Sequence, residues 1–310
     1  MFVTGLQRVC NGLSHWHGRR GVGLDIGASA VRVVSLRSGR AGPRLEAHAW
    51  AAMPLDSADG SASALDAIRI ALRDLPFRAV EVVVGLPGST AITRRIVIPA
   101  DDDGDAQRFD AAVQRQAAAV LPVSLAGLQL DWHRSGPADA IGHPVCLVAV
   151  RRETVDQRMA LLNAVGLRAQ VVDLNPYAER RALELWSPQH VRDVLIDCGQ
   201  RATRVISPAE SGVVTSRELA AAPSSGGALT QWLDELQVAL SSLTARDDVR
   251  STGIAVAGSA ADADRLAALQ AGQPGCMFHV PQMPPDRGSA DAGLGGAWLT
   301  AYGLALRGLS

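Results

Sequence analysis

The chain reads as an α/β protein of two similar lobes facing each other across a cleft, and three features predict this. Two apolar strands 172 positions apart end in the same turn, Asp25-Ile26-Gly27 and Asp197-Cys198-Gly199, and each turn is followed by another strand-like run, Val31–Leu36 and Thr203–Ile206. Apolar runs of strand length alternate with segments of helical periodicity along the chain. Finally, 47% of the residues are hydrophobic but only 4% are aromatic, so the core must rest on Ala, Val, Leu and Ile. That composition suits buried sheets flanked by helices. With 310 residues the chain is long enough for two modest domains.

The repeated turn carries a chemical implication. Glycine lets the backbone approach a phosphate closely, and a neighbouring carboxylate can hold the water shell of Mg²⁺. Asp-x-Gly occurs five times in the chain, and only these two copies are flanked on both sides by strand patterns. Other chemistries are disfavoured. The formal charge is −1 with no basic block, which argues against nucleic acid as a partner. All 30 basic residues are arginine, so no mechanism that needs a catalytic or phosphate-binding lysine is open to this chain. The four cysteines lie far apart without metal-ligand spacing, and Cys146 and Cys198 fall in apolar strand patterns as small core residues. The histidines are scattered. With no signal-peptide core and no long apolar run, a cytoplasmic protein is expected.

In chain order, Phe2, Leu6, Val9, Leu13 and Trp16 form one helical face in an N-terminal amphipathic segment, residues 1–20, fit to meet a membrane surface or a partner. From Gly21 the pattern is strand, turn, strand, then a third strand near Leu45–Ala51. A helix near Ala64–Leu75, the β-branched strand Val80–Leu86 and the turn Pro87-Gly88-Ser89 follow. Ile92–Ile98 is a strand closed by Pro99. The acidic run Asp101–Asp105 is a solvated loop that favours the start of a helix through Val120. Strands near Leu128–His133 and Val145–Val150 precede a helix Glu153–Val165 stopped by Gly166. After the strand Ala169–Val172, Asn175 is expected to cap a helix with Pro176 at its first position, to about Leu185. The second half opens at Val191 with its own strand pair and a further strand near Gly212–Ser216. It continues with a helix over Ala228–Thr244, a strand at Gly253–Val256 and a helix at Ala261–Gln270. A loop over Pro281–Gly296 and a final helix Trp298–Arg307 close the chain. The repeat of whole lobes places a cleft between them, where open α/β sheets bind ligands.

At Gly23-Leu24-Asp25-Ile26-Gly27-Ala28-Ser29-Ala30-Val31-Arg32 the chain resembles the opening of the actin-like proteins of type IV pilus assembly, the PilM family. Further matches follow in order: Val84–Ser89 with Ile98-Pro99-Ala100, Leu121–Ser124 before Asp131, and Gly166-Leu167 with Val172–Ala178. Thr215–Glu218 before Gly226-Gly227, and the terminal Gly303–Arg307, complete the series. Each motif is short; their order carries the resemblance, which spans nearly the whole chain from Gly21.

The resemblance implies an actin-like (ribonuclease H-like) two-lobed fold. Residues 21–88 and 171–190 would form lobe one, residues 89–170 an inserted small subdomain of the kind found in the division protein FtsA, and residues 191–310 lobe two. The short stretch from Gly227 to Gly258 implies a shortened second lobe. The family binds ATP between its lobes and holds the short N-terminal tail of the membrane protein PilN. Carried over by position, Asp25, Gly27 and Ser29 would form a first phosphate loop, and Asp197, Gly199 and Thr203 a second. Gly258 would lie near the adenosine, and Asp25 and Asp197 would hold Mg²⁺. The family usually has lysine where this chain has Arg32. The expected role is a scaffold without catalysis at the cytoplasmic face of the inner membrane, with a PilN-like tail and other platform or motor proteins as partners. Relatives of the same fold offer alternatives: the cytoplasmic half of a type II secretion L-type protein, which should continue into a transmembrane helix, or an FtsA-like division protein, which should carry an amphipathic anchor. A small-molecule kinase would need a general base near an acceptor hydroxyl, and no such signature stands out.

Overall fold

In the computed structural model, residues 19–54, 60–100, 106–190, 193–207, 213–221, 227–244, 253–261, 263–272, 276–284 and 294–310 are described. The N-terminal amphipathic segment, apart from its last two residues, and the acidic run Asp101–Asp105 lie outside them. Two five-stranded sheets have the same plan. The first comprises β1 (Arg20–Ile26), β2 (Ala30–Gly39), β3 (Gly42–Ala52), β4 (Glu81–Leu86) and β8 (Arg168–Leu174), ordered β3-β2-β1-β4-β8. The second comprises β9 (Val194–Cys198), β10 (Ala202–Ile206), β11 (Ser216–Ala220), β12 (Gly253–Ala257) and β13 (Met277–His279), ordered β11-β10-β9-β12-β13. In each, an antiparallel meander is extended by parallel strands. The matching helices are α1 (Gly60–Arg73) and α5 (Gly227–Thr244) after the meanders, and α3 (Arg152–Asn163) and α6 (Ala263–Gly272) before the outer parallel strands.

Between β4 and β8, a third sheet is ordered β5-β7-β6 from β5 (Ala91–Ile98), β6 (Leu128–Arg134) and β7 (His143–Arg151). Helix α2 (Ala106–Val120) buries Phe109, Ala112, Val113 and Ala117 against it, on a core of Ile96, Ile98, Val145 and Leu147. Among the described residues no helix is long and apolar enough to cross a membrane.

Two helices join the lobes: α4 (Asn175–Trp186) and α7 (Leu299–Gly308). Ala182, Leu183 and Trp186 of α4 and Tyr302 and Ala305 of α7 share one core with Val34 and Leu36 of the first sheet and Leu195 and Ile206 of the second. Glycine makes this approach possible. A Cβ on Gly23 would run into the Ala301 carbonyl, and one on Gly303 into the Ala178 carbonyl.

Two expectations are corrected and one strand is added. The strand placed near Gly212–Ser216 is Ser216–Ala220 instead. The apolar pair Val213-Val214 packs on the first lobe's core, where the Val214 N–H donates to the Tyr177 hydroxyl at 3.3 Å, and the more polar residues after it take the edge of the sheet. Asn175 does not cap α4: Leu174 holds the extended capping position, and Asn175 is buried with its Oδ1 lacking a hydrogen-bond partner among the described residues. Strand β13 is new, too short for alternation to register. The Gly166 stop holds: its φ is +75°, and the Leu167 N–H donates back to the Leu162 carbonyl at 3.0 Å.

Candidate functional site

Each sheet delivers the same hairpin to the gap between the lobes. Aspartate first, glycine third, alanine sixth and arginine eighth recur in Asp25–Arg32 and Asp197–Arg204. In both turns the glycine N–H donates to the alanine carbonyl at 3.0 Å, Gly27 to Ala30 and Gly199 to Ala202. Neither glycine can carry a side chain without adjustment, since its Cβ would come within 3.1 Å and 2.7 Å of those carbonyl oxygens. Antiparallel pairing then sets Asp25 opposite Arg32, and Asp197 opposite Arg204. Directly opposed residues share a face, so each aspartate has an arginine beside it.

The two hairpins line one cleft. Asp25, Gly27, Ser29, Asp197, Gly199 and Gly258 all border it. Gly258 follows β12 with φ +104°, and a Cβ there would press on the Cys198 carbonyl and Asp197 Oδ1. Thr203 is not brought to the cleft. It holds the repeat position of Val31, faces away from Arg204, is wholly buried, and its Oγ1 has no hydrogen-bond partner among the described residues.

Two further residues dominate the electrostatics. Arg204 Nη2 donates to Asp197 Oδ2 and, at 2.9 Å, to Glu179 Oε1. Glu179, 1% exposed on α4, also accepts from the Thr300 Oγ1 hydroxyl at 2.8 Å. On the other strand, β11, Arg204 stands opposite Glu218. Arg204 is therefore held by the carboxylates of Asp197 from β9 and Glu179 from α4. In the first hairpin the contact is looser, with Arg32 Nη1 4.0 Å from Asp25 Oδ2. Burial pushes the Asp25 carboxyl up, with Arg32 and Arg204 pulling it down and Asp197 pushing it up again. Burial pushes Glu179 up to about 8 against the pull of Arg204, with Asp197 and Asp25 adding to the rise.

This donor set does not fit Mg²⁺ between Asp25 and Asp197. The ion demands a near-octahedral oxygen shell at 2.0–2.1 Å. Here Asp197 Oδ2 at the cleft is already bonded to the Arg204 guanidinium, which the buried Glu179 Oε1 shares, so an ion would stand beside a fixed positive charge. Glu179 and Arg204 escaped the sequence reading, although aligning the two hairpins eight residues deep marks Arg204 and places Thr203 on the wrong face.

A second cluster was also missed. His190 Nδ1 and His279 Nδ1 lie 2.9 Å and 3.4 Å from Asp193 Oδ2. The rings stack at 4.0 Å and 24°, so no single point at bonding distance lies in both ring planes, as an ion bound by both would require. Asp193 instead abuts Gly253 at the start of β12. The pair of imidazoles thus ties β13 to the segment before β9.

Comparison with known proteins gives the family. The family described as Type IV pilus assembly protein PilM matches residues 23–221, more than half of the chain. In fold, the chain is similar to the PilM-PilN type IV pilus biogenesis complex, with 21% identity, a TM-score of 0.70, and 94% of this chain and 98% of that one covered. It is also similar to a diol dehydratase-reactivating factor in nucleotide-free form (8% identity, TM-score 0.54, 93% and 99% covered). A third likeness is to the ethanolamine utilization protein EutJ from Carboxydothermus hydrogenoformans (13% identity, TM-score 0.51, 93% and 89% covered). With its duplicated sheets, interlobe cleft and family match, this chain has the actin-like fold and belongs to the type IV pilus assembly protein PilM family.

Proposed function

We propose that this protein is a scaffold without catalysis in the type IV pilus assembly platform, peripheral to the cytoplasmic face of the inner membrane. It docks the N-terminal tail of a PilN-like membrane protein and gives other platform or motor proteins a surface to assemble on. The observation that carries this reading is the family match over residues 23–221, and the likeness along 94% of the chain to a complex containing PilN supports it. The tail lies between lobe one, residues 21–88 and 171–190, and the inserted subdomain, residues 89–170. Strands β5 and β6 are the outer strands of the three-stranded sheet, and an extended peptide adds to such an edge through main-chain hydrogen bonds.

In this reading the cleft takes a nucleotide as a structural ligand. Asp25, Gly27, Ser29, Asp197 and Gly199 border the phosphates and Gly258 the adenosine; Thr203 supports β10 from behind. The cleft encloses about 270 Å³, just below the ~300–1,000 Å³ of typical ligand pockets. That is room for phosphates, with the base held at the mouth. A ligand bound by the folded form alone stabilises it by mass action. Asp197 and Glu179 each contact Arg204, which leaves neither poised as a general base.

The test is direct binding of a synthetic PilN-type tail to the full chain, read by fluorescence anisotropy. Saturable binding in the micromolar range is expected. No binding at high micromolar peptide would overturn the docking role.

A further inference from the structure

The cleft contains a cation that belongs to the chain, and its setting is specific. Arg204 is flanked on β9 by Asp197 and on β11 by Glu218, its direct register partners, while Glu179 reaches it from α4. Its side chain is 20% exposed and that of Glu179 only 1%. Thr300 of α7 fixes the same Glu179 oxygen that Arg204 uses. Two carboxylates, one from the sheet and one from α4, thus converge on a single guanidinium. The first hairpin repeats the aspartate–arginine pair, but there the row across the sheet runs Asp25–Arg32–Trp50, with no second acid. The two arginines therefore divide the work: Arg204 neutralises the acids at the cleft floor, and Arg32, 4.0 Å from Asp25, borders the space where an anion would sit.

We infer that Arg204 replaces the divalent cation in the interlobe cleft, so that a phosphate-bearing ligand is held there by guanidinium groups without Mg²⁺. A divalent ion entering between Asp25 and Asp197 would have to displace a charge-assisted hydrogen bond from Asp197 and stand beside a positive charge. A phosphate entering the same cleft meets Arg32 and Arg201 at its border, and guanidinium matches phosphate in planar bidentate geometry. The ligand half of the inference rests on the nucleotide reading above; the cation half stands on the side-chain cluster alone.

Two measurements on the full chain test it. The first titrates Mn²⁺ alone and follows the free ion by its electron paramagnetic resonance signal. The wild type is expected to bind no Mn²⁺ below millimolar concentration. Arg204→Ser with Glu179→Gln, which removes the guanidinium and the second carboxyl it holds, frees Asp197 beside Asp25 and should bind Mn²⁺ on the order of ten-fold tighter or more. Because that variant can fail to fold, the wild-type result decides by itself: submillimolar Mn²⁺ binding that Asp197→Asn abolishes overturns the inference. The second titrates ADP and pyrophosphate by calorimetry, in EDTA and in excess Mg²⁺. Dissociation constants within about three-fold of each other in the two buffers support it. Pyrophosphate binding as well as ADP identifies the phosphates as the recognised group, and ADP alone adds the adenosine. Binding only with Mg²⁺ overturns the inference and leaves the nucleotide reading standing. No binding in either buffer removes the nucleotide reading and overturns the ligand half, while the Mn²⁺ titration still decides the cation half.

Discussion

Glu179 is the residue whose ionisation matters most to this cleft. It is buried, shares Arg204 with Asp197, and its Oε2 has no hydrogen-bond partner among the described residues. Its folded value is raised from 4.5 to about 8, chiefly by burial. The folded state therefore binds this proton more tightly than the unfolded chain does. The resulting stabilisation is complete below the unfolded value and is lost as pH rises through about 8. Glu179→Gln keeps the amide oxygen that Arg204 and Thr300 need but cannot ionise. Urea denaturation of this variant across the same pH interval should show a flatter profile than the wild type, with the gap widening toward alkaline pH. Identical slopes would mean that Glu179 stays charged throughout. Glu46 shows the opposite case: hydrogen bonds from Arg20, Arg37 and Ser35 hold it down at about 2, so its contribution is lost only in acid.

At the scale of the element, the informative positions are glycines where two backbones touch. In the sequence Gly21 opens the first strand pattern, and Gly23 and Gly303 appear only within short motifs. The fold gives them a shared purpose, because α7 rests its backbone on β1 and on α4 at these sites. Gly303→Ala should cost roughly 1–3 kcal/mol by overpacking, although alanine is the better helix former, since the methyl group meets the Ala178 carbonyl. Gly127→Ala is the control, with nothing within 4 Å of its Cβ, and should change stability little. Chemical denaturation of both variants compares them; equal midpoints would show that α7 sits further out. Most element types were legible because apolar runs of strand length and helical stripes are local signals. Strand β11 was displaced because Val213 and Val214 are apolar for a tertiary reason, packing on lobe one. Asn175 looked like a cap because its type and the following proline fit one, and the turn into α4 begins one residue earlier.

For the whole molecule, the two lobes are duplicates in topology but not independent in packing. Helices α4 and α7 bury side chains from both large sheets in a single core. Neither residues 1–190 nor residues 191–310 can complete that core alone. Expressed separately, each half should be insoluble or molten; expressed together, they should co-purify as a one-to-one complex by size-exclusion chromatography. A folded, monomeric 1–190 fragment would contradict this. The same two helices bring chemistry together, since Glu179 and Thr300 are 121 positions apart and meet on one carboxylate oxygen beneath the cleft.

By itself the sequence determined the fold class, the paired hairpins and the gap they border, because strands, glycine turns and their duplication are written in short-range pattern. It also marked Asp25, Gly27, Ser29, Asp197, Gly199 and Gly258, which the cleft does assemble. Which way a strand residue faces is a matter of register, and that set Thr203 into the core and Arg204 toward the acids. Only the tertiary structure could decide that a guanidinium sits among these carboxylates, because its partners come from β9 and α4 and converge only when the two halves close on their shared helices.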